Sequence, residues 1–183
     1  MNIVGEKVKL RAIEKSDLNF LLELINSPEL ESYVVGSSVP LSSIQQSNWI
    51  ENTLNSNCAI RLIVENELGE SIGFVNLVDI NFTNRVAIHG VKFLKKHRGK
   101  GYAKDSVLSL MRYAFNTLNL NRLESTIIDY NAASISLYTK SCGWEIEGNK
   151  KQAVYKNGDY HDLIVIGITK DTYNDFIKKR DFR

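Results

Sequence analysis

Between residues 86 and 129 the hydrophobic period of the chain changes twice, and this constrains the fold more than any other feature. Residues 86–94 read as a strand. Across 101–118, Ala103, Val107, Leu108, Met111, Ala114, Phe115 and Leu118 recur at helical spacing, and 122–129 read as a strand again. Strand, helix and strand in that order make a βαβ unit, whose strands are parallel and joined by a right-handed crossover. The flanks differ. Strands at 59–65, 71–80 and 86–94 follow one another across short turns, the first carrying Gly69, which predicts an antiparallel meander. Extended segments at 144–155 and 160–169 are joined by the Asn157-Gly158 pair of a tight hairpin. The expected fold class is therefore α+β (mixed α/β). Its centre is a mixed, mostly antiparallel sheet of about seven strands with one parallel pair, flanked by helices.

The first strand is expected over 7–13, with Val8, Leu10 and Ala12 on one side and Lys7, Lys9 and Arg11 on the other. Ser16 as N-cap, with Asp17 in the first turn, predicts a helix with an apolar face of Leu18, Leu21, Leu22 and Ile25, stopped by 26–28. Ser42 and Gln45 form a capping box that opens a second helix to Leu54, after a connection containing Ser37, Ser38 and Pro40. A helix over 132–141 ends at Gly143 as its C′ residue, and a short terminal helix covers 171–179.

Composition narrows the function. A chain of 183 residues, 43% hydrophobic and 24% charged, without repeats or linkers, reads as one domain over 1–183. Lys plus Arg is 23 against 21 for Asp plus Glu, so the net charge of +2 gives no global footprint for nucleic acid or an anionic membrane. Two cysteines are too few for a disulfide scaffold, no apolar run approaches the ~18 residues of a membrane span, and residues 1–10 do not resemble a signal peptide. The expectation is a cytoplasmic protein with reduced thiols. His89, His97, His161 and the cysteines show no metal-ligand spacing.

The turn at 95–104 carries the chemistry. Lys95, Lys96, Arg98, Lys100 and Lys104 surround Gly99 and Gly101 just before a helix. Glycines let a backbone approach a ligand closely, and the free N–H groups of a helix start suit a pyrophosphate. The plain alternative is a tight turn with a solvated basic face. There is no Gly-Lys-Ser/Thr of a Walker loop, and Lys104 stands where the third glycine of a dinucleotide fingerprint belongs. A nucleic-acid-binding reading rests on this cluster alone, without interleaved aromatics.

Arg98-Gly99-Lys100-Gly101-Tyr102-Ala103 resembles the pyrophosphate loop of the GNAT N-acetyltransferases, Gln/Arg-x-x-Gly-x-Gly/Ala, with Lys96 at the first position. Asn131-Ala132-Ala133-Ser134-Ile135-Ser136-Leu137-Tyr138-Thr139-Lys140 resembles the family's Asn-x-x-Ser-x-x-Leu-Tyr-x-Lys, and the usual Gly-Phe follows as Gly143-Trp144, one residue late. Leu10-Arg11-Ala12-Ile13 and Asn157-Gly158-Asp159-Tyr160-His161-Asp162 are similar to the subgroup of ribosomal-protein N-terminal and spermidine acetyltransferases. The resemblance runs from about Val8 to Ile168.

It implies an acetyl-CoA-dependent N-acetyltransferase in which an amine attacks the thioester directly within a ternary complex. Acetyl-CoA would lie where the two parallel strands splay apart. Arg98, Gly99, Lys100, Gly101, Tyr102, Ala103 and Lys104 would receive the pyrophosphate, mainly through backbone N–H. Phe93 and Leu94 would pair with the pantetheine, and Asn131, Ser134 and Lys140 would contact the cofactor. Asn131 also fits a local helix cap. Tyr138 matches the family's general acid: a phenol, protonated at neutral pH, can donate to the departing thiolate. Its alternative is a core aromatic. The extra residue after Lys140 should disturb the helix end more than Tyr138.

The base stays unassigned. Ile88 stands where many relatives carry a carboxylate, and strand alternation points His89 to the other face, where a structural role is the plainer reading. Asp79, Glu124, Asp129 and a water chain compete. Cys142 reads as a small structural residue rather than a nucleophile. The acceptor would be a small amine or a protein or peptide N-terminus. A polyamine acceptor and a non-catalytic CoA-binding module are the alternatives, and a homo-oligomer is compatible with either. Residues 34–43 carry no carboxylate, and Asn76 and Ile88 are neutral where spermidine acetyltransferases are acidic, which argues for a weakly charged acceptor.

Overall fold

The computed structural model of the chain describes residues 1–36, 39–54 and 58–181. Ser37 and Ser38 of the expected connection lie outside them. Among the described residues one sheet of eight strands runs in the order β1-β2-β3-β4-β5-β6-β8-β7. The strands are β1 Ile3–Val4, β2 Lys9–Ala12, β3 Ile60–Glu65, β4 Ser71–Asn81, β5 Val86–Phe93, β6 Arg122–Ile128, β7 Glu145–Lys156 and β8 Asp159–Thr169. The eighth strand is the two-residue β1, which pairs with Leu10 and Lys9 and is too short to carry an alternation signal. β3, β4 and β5 form the expected meander, and β5 with β6 is the parallel pair. Asn157 and Gly158 both adopt positive φ, 53° and 95°, as the tight β7–β8 hairpin requires.

Helices cover both faces of the sheet. Helix α4 (Tyr102–Asn116) buries Val107, Leu110, Met111, Ala114 and Phe115 against Val75, Leu77, Ala87 and Leu123 of the sheet, joined there by Tyr173 of α6 (Lys170–Asp181). Each fully buried Val, Leu, Met or Phe side chain among them is worth roughly 1.5–3 kcal/mol. On the opposite face α1 (Leu18–Ile25) and α3 (Ser43–Leu54) pack Leu21, Leu24 and Ile50 against Ile63, Phe74 and Leu94. The capping box opening α3 is present, with Gln45 N–H bonded to Ser42 Oγ at 3.2 Å and Ser42 N–H to Gln45 Oε1 at 2.9 Å.

Two expectations about the N-terminal helices are corrected. Ser16 is not an N-cap: a 3₁₀ turn, Lys15–Asp17, precedes α1 and is capped by Glu14, with Glu14 N–H donating to Asp17 Oδ2 at 2.8 Å. Asp17 is drawn into this role because its carboxylate also takes both Nη atoms of Arg11, at 2.7 Å each. In addition, 26–28 do not simply end a helix: Ser27 accepts from Leu30 N–H and Pro28 occupies the first position of a short helix, α2 (Pro28–Glu31). Pro at that position behind a serine cap is the signal that could have shown it.

Candidate active site

β5 and β6 are paired only at Val86↔Arg122, Ala87↔Leu123 and Ile88↔Glu124. Beyond that point β5 keeps β4 as its neighbour and β6 keeps β8, so the two strands diverge from His89 onward. The fork has unpaired backbone along both inner edges, which suits an extended, amide-bearing ligand.

At the mouth of the fork β5 runs into the glycine turn. Gly99 and Gly101 have φ of +76° and +85°, a region that side chains other than glycine rarely adopt. Gly101 is the N-cap of α4 and supplies no side-chain cap, and the first N–H groups of the helix have no partner within it. No atom lies within 4 Å of where a Cβ on Gly99 would stand, so the turn is open. The turn thus presents open backbone N–H groups at the start of α4. Arg98 is committed differently from the rest of the loop. Its Nε donates to Phe93 O at 3.1 Å and its Nη1 to Glu29 Oε1 at 2.8 Å, so it ties the loop to β5 and α2. Phe93 and Leu94 bury their side chains on opposite faces of the sheet, leaving backbone as what they can offer a ligand. Sequence reasoning missed Lys7. Asp105 in the first turn of α4 accepts N–H bonds from Glu6, Lys7 and Val8 at 3.1, 2.7 and 3.1 Å. The anchored segment brings Lys7 Nζ 3.4 Å from Lys100 O and 3.5 Å from a Cβ placed on Gly101. Nothing in a lone N-terminal lysine signals this.

The closed end of the fork holds Tyr138. Asn131 accepts from Ser134 N–H at 3.1 Å and caps α5 (Ala132–Ser136), so its carbonyl oxygen is spent on the helix. One turn of π-helix, Leu137–Ser141, follows, and Gly143 (φ +78°) ends it. A single inserted residue in a helix is accommodated as a π turn, and this is the place of the residue that delays Gly143-Trp144. The wide turn begins at Leu137 and so takes in Tyr138, whose carbonyl O accepts from both Cys142 N–H (3.2 Å) and Trp144 N–H (3.1 Å), and it runs on to the helix end at Ser141. Lys140 is exposed and Ser134 is half-buried.

Tyr138 is only 3% exposed, and its hydroxyl lies 2.8 Å from Nδ1 of His89, the first β5 residue beyond the paired segment. Burial pushes the phenol well above its ordinary value, so it is protonated throughout the physiological range. His89 is buried too, and desolvation lowers its imidazole to about 3, so the ring is neutral. Trp144 closes the group, its ring 4.9 Å from Tyr138 and 5.7 Å from His89, with Nε1 donating to Met111 Sδ at 3.3 Å. Cys142 is fully buried and desolvation raises its thiol to about 12, which suits a packing residue.

No candidate carboxylate reaches this group. Glu124 is bonded by Arg122, which also holds Glu147. Asp129 lies 3.7 Å from His161, and Asp79 is exposed at the irregular end of β4. Among the described residues no three His, Cys, Asp or Glu side chains are grouped to hold a metal ion, and no helix is long and apolar enough to cross a membrane.

The splayed parallel pair thus carries an open glycine turn at its mouth and the buried, protonated phenol of Tyr138 at its closed end. The chain belongs to the GNAT acetyltransferase family: the family model described as an acetyltransferase (GNAT) domain matches residues 7–143. The chain is an acetyl-CoA-dependent N-acetyltransferase acting on an amine. It is 29% identical to a spermidine N(1)-acetyltransferase of Vibrio cholerae over 93% of its length and 97% of that protein's. It is 26% identical to a prophage-derived uncharacterized N-acetyltransferase of Bacillus subtilis, over 92% and 93%. A crystal structure of the Vibrio cholerae spermidine N-acetyltransferase in complex with CoA and spermine superposes with a TM-score of 0.88 at 28% identity, covering 93% of this chain and 99% of that one.

Proposed function

We propose that this chain, as one domain, transfers the acetyl group of acetyl-CoA to a primary amine of low positive charge, a small mono-amine or a peptide N-terminus, with Tyr138 as general acid. The observation that carries the reading is the Tyr138 hydroxyl standing 2.8 Å from the side chain of His89, at the point where β5 and β6 part. The residues present fit acetyl-CoA. The unpaired edges of the fork accept an amide-bearing arm. The N–H groups around Gly99 to Lys104 can donate to the pyrophosphate, with Lys7 and Lys100 adding charge. Asn131, Ser134 and Lys140 line the same side by their place in the motif.

When the amine nitrogen bonds to the acetyl carbon, the carbon–sulfur bond breaks and the electron pair leaves with sulfur. The Tyr138 phenol proton goes to that sulfur, giving the free thiol of CoA. The amine releases its surplus proton to water. Burial raises the phenol above the thiol it protonates, so it stays protonated until the thiolate forms beside it and gives up its proton only as far as its neighbours stabilise the phenolate left behind.

The low charge of the acceptor follows from the carboxylates. Glu29 is engaged by Arg98, Glu31 by Lys156, and Glu124 and Glu147 by Arg122. Asn76 and Ile88 are neutral on the face opposite α4. Stripping water from several ammonium groups against neutralised carboxylates brings little return. The second reading, a polyamine acceptor, is favoured by the names of the Vibrio cholerae relative and of its complex. Free-thiol release from acetyl-CoA, measured as kcat/KM over spermidine, spermine, mono-amines and short peptides, decides between them. A mono-amine or peptide should exceed spermidine, and a tenfold preference for spermidine would establish the second reading instead. The same reading places the enzyme in the cytoplasm. A homo-oligomer is part of the same reading, supported by a dodecameric structure of the Vibrio cholerae spermidine N-acetyltransferase.

A further inference from the structure

The neutral imidazole of His89 has one proton to share between two nitrogens. Its Nδ1 meets the Tyr138 hydroxyl at 2.8 Å, whereas its Nε2 is buried without a hydrogen-bond partner among the described residues. A proton on Nε2 would bury an unpaired donor. A proton on Nδ1 is spent on the phenol oxygen and leaves Nε2 as a bare lone pair, and the donor then without a partner is the Tyr138 O–H itself, at the point where β5 and β6 part and acetyl-CoA would lie. In that tautomer the phenol oxygen accepts from His89, and its own proton is free to turn elsewhere. The rings of His89, Tyr138 and Trp144 meet edge to face at centroid distances of 4.9 to 5.7 Å, which fixes the orientation.

We infer that His89 is a positioning residue for acetyl transfer: its Nδ1–H holds the Tyr138 oxygen, directs the phenol proton toward the leaving sulfur and stabilises the phenolate that remains. The inference rests on the reading of Tyr138 as general acid. As the phenol proton passes to sulfur, the neutral N–H···O contact becomes a charge-assisted one, so it strengthens in the transition state. The phenolate regains its proton from water after the thiol leaves, and His89 neither gains nor loses one. The inserted residue belongs to the same device. The π turn at Leu137–Ser141 takes up the residue inserted before Gly143-Trp144, and Trp144 is the ring that meets His89 edge to face.

The test is a mutant cycle on purified enzyme with acetyl-CoA and its best amine. His89→Leu should lower kcat at least tenfold with KM for acetyl-CoA within twofold, and thermal melting should show that the fold is kept. His89→Asn, whose amide N–H can take the place of Nδ1–H, should recover most of that loss. In a Tyr138→Phe background, His89→Leu should change kcat by less than twofold, because the group it serves is gone. If His89→Leu does not fold, the comparison of His89→Asn in the two backgrounds carries the test. Full kcat in His89→Leu, an Asn variant no better than Leu, or equal losses in both backgrounds would overturn the inference. Full kcat in Tyr138→Phe would overturn the general-acid reading itself, whereas a loss there beside an active His89→Leu would remove only the role of His89.

Discussion

Gly101→Val tests the anion cradle. Gly101 sits at φ +85° as the residue before α4, and a Cβ there would meet nothing closer than Lys7 Nζ at 3.5 Å. Steric contact is therefore not the main effect; backbone strain is. Left-handed backbone costs an ordinary residue roughly 1–2 kcal/mol, and a β-branched one more. The loop can escape that strain only by leaving the left-handed region, which turns the N–H groups of 101–104 away from the ligand. We expect the dissociation constant of acetyl-CoA, read by calorimetry, to rise at least tenfold, or about 1.4 kcal/mol. Gly69→Val is the matched control. Gly69 has φ +76° with open space around it, in the β3–β4 turn. The control should lose comparable thermal stability and keep its affinity. Unchanged acetyl-CoA affinity in Gly101→Val, with the fold intact, would refute the cradle.

Lys7→Gln should raise the same dissociation constant about threefold at low salt, and the difference should shrink at 0.5 M salt because an exposed charge is screened. Arg11→Met should cost about 3–5 kcal/mol in denaturant unfolding, since Arg11 holds the buried Asp17 and Glu65 together. Burial alone would raise both carboxyls, but bonds from Arg11 and then Glu14 N–H hold Asp17, and bonds from Lys9 and then Arg11 hold Glu65, below the usual carboxylate range. Their stabilisation is thus complete above about pH 5 and falls away as pH drops through the lowered folded values. Urea midpoints from pH 7 to pH 3 should decline in the wild type and decline less steeply in Arg11→Met.

The βαβ unit, the meander and the hairpin were legible because each has a local cause: a change of period, a glycine at positive φ, an Asn-Gly pair. The Gly99–Gly101 turn and Tyr138 were legible as motifs. What the sequence left dark is contact between distant segments. Strand alternation correctly sends His89 to the face opposite Ile88, but only the structure shows that this is the face on which Tyr138 lies, 49 positions along the chain. Asp105 binding Glu6, Lys7 and Val8 is equally non-local. The insertion at 140–143 was visible as a spacing error. Its consequence, a π turn that includes the tyrosine, depends on how β7 and Trp144 are anchored, and local sequence carries no record of that.

The most direct measurement is steady-state release of free CoA thiol by Tyr138→Phe with the best amine acceptor. Removing the hydroxyl deletes the proton donor and leaves the buried ring, so kcat should fall about 10²-fold, the usual range for a general acid, with KM for acetyl-CoA little changed. A variant that retains full kcat would show that Tyr138 only packs against His89 and Trp144, and that the proton reaches sulfur by another route.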